Sequence, residues 1–204
     1  MPDIVLATLN AKYIHASFGL RYLMANLGEL RDRACMAEFV INQQPLEIVE
    51  AILAHEPRIV GFGVYIWNVE QTTEVVALLK RIRPELIVIL GGPEVSYETE
   101  GQEIVALADY VITGEADVKF VEVCRGLLKG DLSPQKIIPA ELPALAQLAS
   151  PYELYTDEDL KKAADLSKAI VGLTNTIQVL EGKRDGITED MVSRAKEFPI
   201  SKVV

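Results

Sequence analysis

Along the first 130 positions, short apolar runs rich in β-branched residues alternate with stretches whose apolar residues recur at helical spacing. The runs are Asp3–Ala7, Cys35–Val40, Ile59–Val64, Leu86–Leu90 and Tyr110–Thr113. Between the first two, Phe18, Leu20, Leu23, Leu27 and Leu30 mark a helix face; Leu46, Ile48, Val49, Ile52 and Leu53 mark the next. Val69, Val75, Val76, Leu78, Leu79 and Ile82 mark a third, with two more centred on Ile104–Leu107 and Phe120–Leu128. Strand–helix alternation at this pace predicts right-handed crossovers and a parallel sheet covered on both faces. The near-continuous apolar character of Ile59–Val64 and Leu86–Leu90 fits strands buried on both sides. The expected fold is therefore α/β, a flavodoxin-like (Rossmann-like) five-stranded parallel sheet in the order 2-1-3-4-5, with a C-terminal helical extension.

The pattern changes after Lys129. Residues 131–156 carry four prolines and no clear period, so they read as an ordered wrap or a linker. From 157 to 204 the segment is of another kind. Ala163, Leu166, Ile170, Leu173, Ile177 and Leu180 step as an a/d seam. Thr156 or Asp157 caps its start, and Gly182 lies where its end is expected. Thr188 and Pro199 bracket a short second helix. The predicted organisation is thus a domain over 1–130, a proline-containing wrap over 131–156 and a helical extension over 157–204.

Charge narrows the function classes. The chain is 204 residues long with a formal net charge of -10, and it has no polybasic patch. That argues against a nucleic-acid footprint or an anionic-lipid surface as partner. Cys35 and Cys124 are far apart and belong to no C-x-x-C pair, so neither a disulfide framework, a zinc site nor an iron–sulfur site is expected. The N-terminus lacks the basic start and cleavage site of a signal peptide, and no apolar run approaches membrane-spanning length, so the expected location is the cytoplasm.

In an open parallel sheet, ligands sit outside the carboxyl ends of the strands, near the point where strand order reverses. Four predicted loops meet there. The first, "TLNAKYIHAS", packs Asn10, Tyr13, His15 and Ser17 together; the second is Val64–Asn68; the third is Gly91–Glu94, with Gly92 and Pro93 between; the fourth, "GEAD", is Gly114–Asp117 and opens with Gly114 and Glu115. Each has a bland reading beside the functional one. Ser17 and Asn68 suit helix N-caps. The Gly91-Gly92 pair suits either a tight turn or close approach of backbone to a ligand. Gly114-Glu115 is good capping chemistry for the next helix. Trp67, the only tryptophan, either lines a pocket for a large planar ligand together with Tyr65 or covers the helix behind it. A lone His15 is ordinary in a loop; the cluster around it, on the edge already picked out by the other loops, is what favours a site.

The stretches "LNAKYIHASFGLRYL", "VGFGVYIWN", "ILGGPEVSYE" and "ADYVITGEAD" together resemble the N-terminal cobalamin-binding domain of cobalamin-dependent radical SAM proteins, over about residues 1–154. The resemblance implies a flavodoxin-like sheet that holds the corrin against its carboxyl edge, with the nucleotide tail tucked into the domain. It implies that Asn10, Tyr13, His15, Ser17, Val64, Tyr65, Trp67, Asn68, Gly91, Gly92, Pro93, Glu94, Gly114 and Glu115 form the cofactor wall. No catalytic residue and no protein ligand to a metal is assigned.

Two departures qualify it. The D-x-H-x-x-G cobalt-ligating motif of methionine synthase and the mutases, aligned on His15, meets Tyr13 in place of Asp and Phe18 in place of Gly. The carboxylate that orients a ligating His is then missing. The radical SAM family also continues into a barrel that opens with a C-x-x-x-C-x-x-C cluster site, which this sequence does not contain. The abrupt change of character after residue 156 reads as a truncated frame or a joining of pieces of different origin.

Three function classes remain. The first is a cobalamin-binding module, not catalytic by itself, which presents its cofactor to a radical SAM barrel domain outside this chain. The alternative is a flavodoxin-like scaffold without cofactor, whose C-terminal helices drive homo-oligomerisation or partner binding. A flavin or nucleotide binder ranks third, because G-x-G-x-x-G and a Ser/Thr/Gly-rich phosphate cradle are absent from the first loop.

Overall fold

The computed structural model describes residues 1–12, 15–131 and 135–162. It divides into two compact units, Met1–Asp159 and Leu160–Val204. Of the second, residues 160–162 are described, and they are helical. The a/d seam from Ala163 to Leu180, the Gly182 stop and the helix bracketed by Thr188 and Pro199 all lie outside the described residues.

In the first unit the elements run β1 (Ile4–Asn10), α1 (Phe18–Ala25), β2 (Ala34–Val40), α2 (Pro45–Leu53), β3 (Ile59–Gly63), α3 (Val69–Ile82), β4 (Ile87–Gly91), α4 (Glu103–Leu107), β5 (Tyr110–Gly114), α5 (Ala116–Lys129) and β6 (Ile137–Ala140). Among the described residues these strands form one sheet of six, ordered β2-β1-β3-β4-β5-β6, with every neighbouring pair parallel. The expected order of the first five strands is observed; their number is not. The sixth strand comes from the proline-bearing wrap, where Val111 to Gly114 pair with Ile137 to Ala140. Pro139 lacks an N–H to donate and so is tolerated at this edge position.

Side-chain alternation sorts the core into two layers. Val5, Ala7, Leu9, Val60, Phe62, Val88 and Leu90 pack with α2, α3 and α4 on one face. Ile4, Leu6, Ile59, Ile89 and Ile112 pack with α1 and α5 on the other. All seven residues of β1 are buried, as expected of a strand paired on both sides and covered on both faces. It runs three residues beyond the predicted Ala7, because Thr8, Leu9 and Asn10 have the partners Glu38, Phe39 and Val40 on β2 to extend the ladder. Asn10 therefore ends a strand rather than opening a loop. The helix predicted through Leu30 breaks after Ala25, and a 3-10 turn, Gly28–Arg33, carries the chain into β2.

Candidate functional site

Parallel pairing puts the carboxyl ends of β1, β3, β4 and β5 along one rim, so the loops after them converge. Ser17 is the N-cap of α1, its hydroxyl accepting from the Leu20 N–H at 3.3 Å. Asn10, buried at the end of β1, donates through Nδ2 to the His15 carbonyl at 3.0 Å and to Glu38 Oε1 at 3.3 Å. The same Glu38 oxygen accepts the Ser17 N–H. A single carboxylate on β2 thus ties both ends of the first loop. His15 is exposed; Tyr13 lies outside the described residues.

Glu38 is held in turn. Its Oε2 accepts from Arg21 Nη1 at 3.0 Å, and Arg21 Nη2 reaches Asp159 Oδ2 at 2.9 Å. The Arg21 guanidinium also lies 4.7 Å from the centre of the Tyr155 ring. Thr156 caps the helical backbone that starts at Asp157: its hydroxyl accepts the Asp159 N–H, while its own N–H donates to Asp159 Oδ2. Burial pushes the Asp159 carboxyl up, but the Thr156 N–H and hydroxyl and the Arg21 charge outweigh it and hold it below the usual carboxylate range. Sequence reading missed Glu38, Arg21 and Asp159. A lone acid inside the apolar run "ACMAEFV" was the available signal, since a charge on a half-buried strand gains from a partner.

The second loop folds back on itself. Asn68 is fully buried; its Oδ1 accepts the Tyr65 N–H at 2.8 Å, and its Nδ2 donates to Leu9 O at 3.0 Å and Gly63 O at 3.1 Å. It is the N-cap residue of α3 by position, yet its side chain makes no capping bond there. Its amide instead staples the ends of β1 and β3, so what it offers a ligand wall is the shape of the turn. That turn stacks Tyr65 on Trp67, ring centres 4.6 Å apart and planes within 6°. Trp67 remains 47% exposed and Ile66 77% exposed, whereas Val64 is buried.

Between α1, α5 and the ends of β3, β4 and β5 lies a cavity of about 260 Å³. It exists because side chains are missing along one face. Gly61 and Gly63 alternate with the buried Val60 and Phe62, so both glycines look toward α1 and α5, as does Gly91 on β4. Gly114 on β5 borders the cavity, but a Cβ there would fall 2.7 Å from the Ala140 oxygen of β6. Phe120 from α5 fills the space over Gly61, where a Cβ would stand 2.8 Å from its ring. The space nearer the rim stays open. Tyr65 forms one wall: its ring lies over Gly63 and its hydroxyl reaches Gly19 of α1. Burial pushes the Tyr65 phenol up. Ser96, Tyr97, Pro93, Glu115 and Asp117 complete the polar lip.

The two glycines of the third loop do different work. Gly92 has φ +109°, and a Cβ there would fall 2.4 Å from the Val64 carbonyl oxygen; its freedom serves the contact between two loops. At Gly91 the nearest atom to a built Cβ is the Ile112 oxygen at 3.7 Å, so its missing side chain leaves room in the cavity. Glu94 donates its N–H to the Val64 carbonyl at 3.4 Å, completing the clasp. Sequence reading named the glycines after the strands, and the fourth loop as far as Asp117, but not Gly61, Gly63, Phe120 or Ser96 as part of the site. The period-two "GFG" inside a strand was the legible sign of a groove.

A family model described as the B12 binding domain matches residues 4–124. The chain belongs to the B12-binding domain family. Among solved structures, a cobalamin-binding protein from Desulfitobacterium hafniense DCB-2 is similar at 25% identity and a TM-score of 0.47, covering 61% of this chain and 57% of that one. The cobalamin-dependent S-adenosylmethionine radical enzyme OxsB is similar at 12% identity and a TM-score of 0.50, covering 76% of this chain and 24% of that one. The chain thus matches little more than half of the first structure and a quarter of the second. No curated protein sequence matches it significantly. The resemblance read from the four loop motifs agrees with the family.

The side chains present suit that family's ligand. A corrinoid is a large flat ring with a nucleotide tail, and a cavity of about 260 Å³, just below the usual ligand-pocket range, is too small for the ring. The half-exposed Tyr65–Trp67 stack beside the opening offers the flat apolar surface a ring needs. Among the described residues no group of three or more His, Cys, Asp or Glu side chains could hold a metal ion, and no helix is long and apolar enough to cross a membrane.

Proposed function

We propose that this chain is a cobalamin-binding module that holds the corrin ring against the carboxyl rim, with the nucleotide tail in the glycine-lined cavity. The observation that carries the reading is the cavity itself: Gly63 and Gly91 open it on one sheet face, and Tyr65, stacked on the half-exposed Trp67, forms one wall. Of the loop residues, Tyr65, Gly91, Gly92, Pro93, Gly114 and Glu115 line the cavity; Asn10, His15, Ser17, Val64, Trp67, Asn68 and Glu94 are assigned to the surrounding rim, and Tyr13 joins them from sequence alone. Bound cobalamin supplies organometallic cobalt chemistry, while the protein binds, orients and shields it.

His15 is left out as a cobalt ligand, because Tyr13 occupies the place of the orienting carboxylate. With two cysteines, this chain does not itself provide the three thiolates of an iron–sulfur cluster. It therefore presents its cofactor rather than turning over substrate. A radical SAM barrel on a partner domain is the reader of the exposed face, a pairing supported by the fold likeness to OxsB. The setting is cytoplasmic.

The test is a titration of the purified chain with hydroxocobalamin, following visible absorbance and retention after desalting, with Trp67→Ala in parallel. Stoichiometric retention, weakened about tenfold by the loss of a ring worth roughly 1.4 kcal/mol, supports the reading. A protein that stays colourless with hydroxo-, methyl- and adenosylcobalamin overturns it and leaves the scaffold reading.

A further inference from the structure

The cavity carries a charge pattern that a plain apolar slot would not. Among the described residues its lining includes two ionisable acids, Glu115 and Asp117, and no Lys, Arg or His. Both come from the start of α5, Glu115 as its N-cap residue and Asp117 in its first turn. Asp117 is half withdrawn from water, and its carboxyl is pushed up, first by that burial and then by Glu115. The charged neighbour acting on it is another acid rather than a cation. The remaining polar groups are hydroxyls. Ser96 is committed, its hydroxyl donating to Gly92 O at 2.8 Å and accepting the Gly114 N–H at 3.3 Å.

A cavity of this make-up has something to say about what enters. A phosphodiester is repelled by the acid pair and stays at the lip, where water screens it. The Asp117 carboxylate accepts a backbone N–H at the start of α5 and has lone pairs beyond that one bond, which a heterocycle carrying an N–H donor can meet, and charge-assisted hydrogen bonds are the strong ones. A heterocycle carrying methyl groups at the same place strips water from the carboxylate and returns nothing. The lower bases of natural corrinoids divide along that line. Adenine has an exocyclic amine, whereas the 5,6-dimethylbenzimidazole of cobalamin has two methyl groups and no N–H once joined to its ribose.

We infer that the cavity selects among corrinoids by the lower base, taking an adenine-type base in preference to dimethylbenzimidazole, with Asp117 of α5 as the acceptor for its amine. The inference rests on the corrinoid reading above and goes beyond it, since it names the class of corrinoid and a specificity residue that the reading does not use. Asp117 reads the base; it neither holds the ring nor touches cobalt.

The experiment compares three corrinoids on the full chain by absorbance titration: cobalamin, its adenine-based counterpart, and cobinamide, which has no nucleotide. The expected order is adenine form, then cobalamin, then cobinamide, with about tenfold between the first two, the fold-change of one good hydrogen bond to a charged group. In Asp117→Ala the ratio of the first two falls to near one, and in Asp117→Asn, which keeps an acceptor, it is intermediate; thermal melts establish that both variants are folded. Cobalamin bound as tightly as the adenine form, a ratio that survives Asp117→Ala, or cobinamide bound as tightly as either would overturn the inference while leaving corrinoid binding in place. Failure of all three to bind removes the functional reading itself, and the inference with it. The wild-type comparison decides the preference even if a variant does not fold.

Discussion

Arg21 on α1 and Asp159, 138 residues further along the chain, meet in a buried ion pair 2.9 Å long. The other arm of the same guanidinium holds Glu38, which gathers Asn10 and Ser17 at the two ends of the first loop. One continuous polar chain therefore runs from the loop at the carboxyl rim of the sheet to the capped turn at Thr156. Asn26 adds a second tie nearby: its Oδ1 accepts the Ala149 N–H at 2.8 Å, and its Nδ2 donates to the Ala149 carbonyl at 3.3 Å. The segment leading to Asp159 is fastened to α1 at two points.

Removing the centre of that chain should be costly. Arg21→Ala leaves two carboxylates facing each other without a cation, and breaking a buried pair in this way typically costs about 3–5 kcal/mol. Because Glu38 is partly solvated, the lower end, about 3 kcal/mol, is expected in urea unfolding. Arg21→Lys should recover little, since one ammonium cannot span two carboxylates as a planar fork does. Full rescue by lysine would show that charge alone, rather than geometry, matters here.

The pH dependence follows from Asp159. Its carboxyl is held low in the folded protein, so the ionised form is the stabilising one. An aspartate in an unfolded chain titrates near about 3.9. Its contribution is therefore complete above that value and is lost as the pH falls through the lower folded value. Between about pH 5 and 8 the stability gap between the parent protein and Asp159→Asn should be constant; below about pH 4 it should close, because the parent's own carboxyl is then protonated as well. Thermal melts of both proteins across that range read it directly. A gap that widens on acidification would reverse the sign and refute the assignment.

The paired glycines of the third loop should separate in mutation. Gly92→Ala puts a Cβ 2.4 Å from the Val64 oxygen at a φ of +109°, so backbone strain and overpacking combine to a loss of at least about 2 kcal/mol. Gly91→Ala meets only ordinary contact and should leave the thermal midpoint nearly unchanged. Its methyl group enters the cavity, so corrinoid retention should drop while the fold persists. Equal behaviour of the two variants in both measurements would undo the division of labour.

Much of this was written locally in the chain. The two-residue and 3.6-residue periods of apolar positions suffice for parallel strands, covering helices and the order of the first five strands, because they depend on which face each residue must bury. The ends of the predicted strands allowed the four rim loops to be named in advance, with glycines marking the third and fourth, and Ser17 capped α1 as its type and place require. What tertiary structure decided had no local signal strong enough to read. Ile137–Ala140, with a proline and no alternation, becomes a strand because β5 would otherwise present an edge of unpaired N–H and C=O groups. Asn68 left its capping bond for a deeper set of carbonyls that only the meeting of β1 and β3 brings within reach. Gly91 and Gly92 look alike as letters, and only the position of Val64 tells them apart. Arg21, Glu38 and Asp159 are spread over most of the described chain, and their value to one another arises only where burial removes the water that would otherwise solvate each charge.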